Sequence, residues 1–135
     1  MSTMQITMPA GLRRTLRLEG VLELALAVVL YAHLGGSWPA FGLFFLAPDL
    51  ALAAYLAGPR AGSIAYNAAH SYVGPVLFAL AAVAVAPALA TYALIWCAHI
   101  GFDRALGYGL KSRAGFGYTH LGLIGRATER HASGR

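Results

Sequence analysis

The run LRLEGVLELALAVVLYAHL, from Leu16 to Leu34, already constrains the class of structure. It is close to the ~20 residues that carry a helix through a bilayer core, and it contains both Glu19 and Glu23. Three similar stretches follow, from Pro39 to Ala57, Gly62 to Ala84 and Pro87 to Leu106. Glycine and proline punctuate the junctions at GGSWP, AGPRAG and VAP. These connections are short, so successive helices should be antiparallel neighbours. The expected architecture is all-α: an integral membrane four-helix antiparallel bundle with a Gly-rich cytoplasmic tail. Residues 1–15 are expected as a cytoplasmic N-terminal segment and 16–125 as one membrane domain. Within it, 107–125 forms an interfacial tail, and 126–135 is expected to be disordered.

Composition agrees with that class. Of 135 residues, 59% are hydrophobic and 11% charged, where soluble domains carry about 25% charged. Mean hydropathy is +0.63. The single cysteine, Cys97, lies in an apolar run beside Trp96, so a disulfide framework is excluded and the thiol reads as a small buried hydrophobe. The N-terminal MSTMQITMPAGLRRTLRLEG lacks a small-residue cleavage site, so the first apolar run is expected as a retained span. A net charge of +5 raises the question of nucleic-acid binding. The basic residues instead flank apolar spans. Arg13, Arg14 and Arg17 precede the first, Arg60 divides the second and third, and Arg104, Lys111, Arg113, Arg126, Arg130 and Arg135 close the fourth. The other two loops carry none, so both termini are expected in the cytoplasm of a multi-pass cell-membrane protein. The expected partner is therefore the lipid bilayer and not nucleic acid. A homodimer is also expected, since four short helices bury little surface.

Four of the five acidic residues, Glu19, Glu23, Asp49 and Asp103, fall inside or at the lip of these spans, as do His70 and His99. An ionisable side chain at the bilayer centre costs roughly 2.5–3.5 kcal/mol on insertion scales, and such groups mark function by default. Counted inward from the cytoplasmic ends at about 1.5 Å per residue, Glu23, Asn67 and Asp103 lie roughly 5–8 Å deep. Asp49, His70 and His99 lie roughly 10–13 Å deep on the same count. Glu19 is at the rim. Spacing supports a shared interior: Tyr66 and His70, and His99 and Asp103, are each four apart and so share a helix face. Pro48 should interrupt the second helix beside Asp49, and broken backbone at that depth must be buried in protein or line a cavity.

The plainest account makes these groups interhelical glue, at roughly 0.6–2 kcal/mol each. One or two polar residues would suffice for that, whereas Glu23, Asp49, His70, His99 and Asp103 together point to a pocket open to the cytoplasm. Two histidines with two carboxylates, His70, His99, Asp49 and Asp103, could ligate a divalent metal or act as acid–base catalysts without one. Asn67 and Glu23 would orient them. Arg104 and Lys111 would meet headgroups or an anionic part of the substrate, with Tyr66 and His120 also at the substrate. No di-iron Glu-x-x-His pair, HExxH, nucleophile elbow or phosphate loop is present. A haem between His70 and His99 ranks behind a metal, since adjacent carboxylates would place negative charge beside it. The expected function is an enzyme acting on an apolar or lipid-like substrate. The alternatives are a proton- or cation-coupled binding or transport module and a haem or quinone electron-transfer protein.

Seven glycines between Gly101 and Gly125 exclude a continuous helix in the tail. Its GFGYTHLGLIG run should lie at the interface or fold back towards the pocket mouth, bringing Tyr118 or His120 near it. Several of these residues also carry a resemblance. PDL (Pro48 to Leu50), YNAAH (Tyr66 to His70), HIGFDRALGYGLK (His99 to Lys111) and THLGLIG (Thr119 to Gly125) resemble a small bacterial membrane family, domain-of-unknown-function family 4260. The resemblance implies a four-span membrane protein and supplies no reaction.

Overall fold

The structure is a computed structural model and describes residues 8–113, 115–125, 128 and 133. The disorder expected at 126–135 thus falls almost entirely outside the described residues. Helix α1 spans Ala10–His33, starting before the predicted Leu16. A turn at Gly35 and Gly36 leads into α2 (Trp38–Phe44), whose first turn is capped by the Ser37 hydroxyl and begun by Pro39. A 3₁₀ helix, Ala47–Ala57, follows. Next come α3 (Pro59–His70), α4 (Val73–Val85) and α5 (Ala90–Leu106), the last entered through a short 3₁₀ turn.

Two of the expected straight spans are broken. The second changes from α to 3₁₀ at Pro48, which lacks the N–H an α-helix needs there. The resulting eleven-residue run is far longer than the three or four residues usual for a 3₁₀ helix, a form often found where a sequence is strained or functional. The third span breaks at Ser71, which is extended (φ −100°, ψ 153°), so α3 and α4 meet at 48°. Two carbonyls at the end of α3 are then taken by α5: Trp96 Nε1 donates to Ala69 O (2.6 Å) and Arg104 Nη2 to His70 O (3.0 Å). Broken backbone inside an apolar protein is tolerable only with such partners. Among the described residues, Trp38–Ala57 is long and apolar enough to cross a membrane. Pro59–His70 with Val73–Val85 adds a second stretch if the bent pair is counted as one.

The main helical seam joins α1 to α5. A side chain on Gly20 would fall 2.5 Å from Arg104 Cβ and 2.6 Å from Ala105 N, and one on Gly101 would fall 2.8 Å from Leu24 N. The two glycines therefore let the backbones of α1 and α5 touch. Arg17 Nε closes the seam on the Ala105 carbonyl (2.8 Å). Helix α5 stops at Gly107, whose φ of 93° suits only glycine, and Tyr108 N–H reaches back to the Asp103 carbonyl (2.8 Å).

The tail corrects the all-α expectation. Strands β1 (Lys111–Ser112), β2 (Gly115–Thr119) and β3 (Gly122–Leu123) form an antiparallel sheet, with Lys111 opposite Thr119 and Tyr118 opposite Leu123. Left-handed glycines at 115 and 122 permit the turns. The sheet docks on α3 through Asn67, whose Nδ2 donates to Lys111 O (2.8 Å) while its Oδ1 accepts from Lys111 N (2.6 Å). That side chain pairs with the strand as a neighbouring backbone would.

Candidate metal centre

Breaking the second and third spans delivers Asp49 and His70 to the face of α5 that carries His99 and Asp103. One ligand atom from each lies within 4.8 Å of the other three. His70 Nε2 is 3.1 Å from His99 Nε2, 3.2 Å from Asp49 Oδ1 and 3.4 Å from Asp103 Oδ2. His99 Nε2 is 3.3 Å from Asp49 Oδ1 and 3.4 Å from Asp103 Oδ2. Four ligands placed tetrahedrally around an ion at about 2.0–2.1 Å are about 3.3–3.4 Å apart. Five of the six separations already approach that value.

The donor count argues the same way. His70 Nδ1 is 2.9 Å from the Tyr66 carbonyl, which can only accept, so Nδ1 bears a proton and the neutral ring turns a bare lone pair at Nε2 to the centre. An imidazole held by a backbone carbonyl in this way is the common support of a metal-binding histidine. His99 Nδ1 is buried on the side of the Phe45 carbonyl without an aligned hydrogen bond. With the proton of His99 on Nδ1, two imidazole nitrogens and two carboxylate oxygens converge as acceptors, a set that a cation between them would satisfy. Both imidazoles are 1% exposed, and the Asp49 side chain, at 38%, is the accessible edge. The close approach of the two Nε2 atoms leaves no room for a haem iron between the rings, since two axial nitrogens need about 4 Å across the metal with the macrocycle between them.

Tyr66 supports two of the four ligands. Its ring stacks on His70 at 3.7 Å between centroids, and its hydroxyl donates to Asp103 Oδ2 (3.3 Å). Asn67 clamps the tail and does not touch the four ligands. Glu23 is not among them either: it accepts from the Tyr72 hydroxyl. Glu19 is exposed. Arg104 spends its guanidinium on the His70 and Tyr108 carbonyls. Lys111 is buried, its Nζ 3.8 Å from the centre of the Phe116 ring and 4.9 Å from that of Tyr66. Burial holds its amine down to about 8, against the opposing pull of the Asp103 charge. His120 accepts from Leu110 N–H (2.8 Å) in a space left by Gly109, and burial followed by the Arg104 charge lowers its pKa. Sequence reading missed Tyr72 and Trp96. Each hydrogen-bonds across helices at or beside the Ser71 break, and SYVGP with its proline is the signal that could have marked it.

Fold and site together define a mostly helical protein, rich in exposed apolar surface, with a buried two-histidine, two-aspartate cluster. The chain belongs to the family described as a domain of unknown function (DUF4260), whose model matches residues 13–124. Comparison with curated proteins and with solved structures gives no match.

Proposed function

We propose that the protein is a multi-pass membrane enzyme in which Asp49, His70, His99 and Asp103 hold one divalent metal, with zinc the best fit, in the cytoplasmic half of the bilayer. The observation that carries this reading is the convergence of four atoms able to ligate a metal, five of whose six separations are near the tetrahedral value. The membrane setting is supported by side chains such as Leu50 and Leu56, 78% and 94% exposed, on a scale that soluble surfaces avoid. The clustering of Lys and Arg in alternate loops supports cytoplasmic termini. When bound, the ion would supply a Lewis acid for a carbonyl or phosphoryl oxygen and would acidify a water. The chain's own residues do the rest. The Tyr66 carbonyl fixes the His70 tautomer, and the Tyr66 hydroxyl steadies Asp103. Asp49, the exposed ligand on a separate 3₁₀ segment, forms the side from which a substrate oxygen approaches. The substrate is apolar or lipid-like, because it must arrive through hydrocarbon.

One observation favours a second reading. Four protein ligands fill a tetrahedral shell, as in sites that hold zinc rather than catalyse with it, and that suits a cation-binding or cation-coupled transport module. Elemental analysis of detergent-purified protein tests the metal. One equivalent per chain is expected, lost in His70→Ala and in His99→Ala. Stoichiometry untouched by both substitutions would sink the reading, and pH-driven cation flux in liposomes by a metal-free protein would establish the second one.

A further inference from the structure

Pro48, Ala51, Ala69, Phe78, Ile95 and Trp96 line a cavity of about 590 Å³, within the about 300–1,000 Å³ usual for a small-molecule site. Its position follows from the elements that carry the metal centre. On α5, Ile95 and Trp96 precede His99 by about one turn, near 5.4 Å along the axis. At the end of α3, Ala69 adjoins His70. In the 3₁₀ helix, with three residues per turn, Pro48 and Ala51 eclipse each other, and both face the cavity while Asp49 between them turns to the centre. The unusual 3₁₀ run thus has a purpose: it gives one segment a cavity wall and a ligand.

The walls are apolar. The indole N–H of Trp96 is already committed to the Ala69 carbonyl, and Gly74 makes room for that indole, since a side chain there would fall 2.6 Å from Trp96 Cζ2. Tyr92 brings the other polar side chain to the lining. Small residues, Ala51 and Ala69, keep the volume free. Phe78, 38% exposed, stands where the cavity meets the surface. Taking the orientation proposed above, the metal centre lies at the cytoplasmic side of the cavity, which runs from it through the middle of the membrane to Tyr92 and Leu89. A lipid of the inner leaflet has the same polarity, with its chain towards mid-bilayer and its linkage and headgroup towards the cytoplasm.

We propose that this cavity holds one hydrocarbon chain of an inner-leaflet lipid, so that the polar linkage at the head of that chain lies beside Asp49. The proposal rests on the membrane and metal reading above and names its substrate as single-chain-anchored lipid.

The test uses the full chain in phosphatidylcholine nanodiscs doped with a phospholipid carrying a mid-chain diazirine, with adducts located by mass spectrometry after irradiation. Adducts are expected to be saturable and concentrated in 47–51 and 92–96, over a diffuse background on the lipid-facing Leu22 and Leu26 of α1. Ala51→Trp should cut the cavity adducts at least tenfold and leave both the α1 background and the metal content unchanged. In wild-type protein, unlabelled lysophospholipid should compete the cavity adducts away, a readout that needs no variant to fold. Adducts spread evenly over α1 and the cavity, or unaffected by competitor, would overturn the proposal. So would cross-links from cavity residues to a second copy of the chain, which would make the cavity an interface. Metal absent from wild-type protein with cavity adducts intact would remove the metal reading and leave the chain site standing. Metal present without cavity adducts would do the reverse.

Discussion

Helix α5 presents two faces built on opposite principles. Towards α1 it offers Gly101, and contact arises because Gly101 and Gly20 have no side chains to hold the backbones apart. Towards α3 and the 3₁₀ helix it offers His99 and Asp103, where two imidazoles and two carboxylates meet with ligand atoms within 4.8 Å of one another. The seam is a source of stability. The centre is a demand on it, since taking imidazoles and carboxylates out of water costs free energy. A structure that carries such a cluster through its interior is expected to use it.

The sharpest way to break the comparison is to reverse it at one residue. Gly101→Leu places a side chain against the Leu24 and Gly20 backbone, which cannot move aside as a flexible side chain would. A loss of ~3 kcal/mol or more is expected, read as failure to purify a monodisperse, helical protein. Asp103→Ala, on the other face of α5, should do the opposite: helicity by circular dichroism stays, and stoichiometric metal disappears. If both substitutions unfold the protein, the two faces are not separable and the distinction fails.

Smaller effects sharpen it. Tyr66→Phe removes the hydroxyl that supports Asp103, and metal affinity should fall roughly 10–100-fold when measured by competition with a chelator. An unchanged affinity would remove Tyr66 from the account. Lys111 gives a pH signature. Its amine titrates near 8 in the fold against 10.5 when free, so between those values the unfolded chain holds the extra proton and stability rises with pH. The thermal midpoint of wild-type protein should therefore climb from pH 8 to 10.5 relative to that of Lys111→Met, which lacks this group. A midpoint difference that is flat or falling over that window would contradict the burial argument. Glu23→Gln should have the smallest effect on the centre, with metal content the same as wild type, because Glu23 meets Tyr72 and not the ligands.

That last pair shows how much the sequence disclosed. Asp49, His70, His99 and Asp103 were legible because ionisable groups in apolar runs are costly, and helical rise converts position into depth. The same reasoning added Glu23, since depth along a helix says nothing of which side the residue faces across the bundle. The Pro48 interruption was legible as a break, but not as a 3₁₀ helix, because proline removes one donor without dictating what replaces the α pattern. The glycine-rich tail was legible as non-helical. Its sheet was not, because strands of two to five residues show no periodicity, and Asn67, which completes their pairing, lies over forty residues upstream. Arg104 and Lys111 read as groups that would meet headgroups or an anionic part of the substrate; their contacts, one with freed carbonyls and the other with aromatic rings, were not legible.

The central claim is that a metal lies among two imidazoles and two carboxylates, and X-ray absorption at the metal edge of the zinc-loaded protein addresses it most directly. The account predicts about four nitrogen or oxygen neighbours near 2.0 Å, with the outer-shell scattering of two imidazole rings. A sulfur neighbour near 2.3 Å, which would mean Cys97, or a zinc surrounded by water oxygens alone, would contradict it.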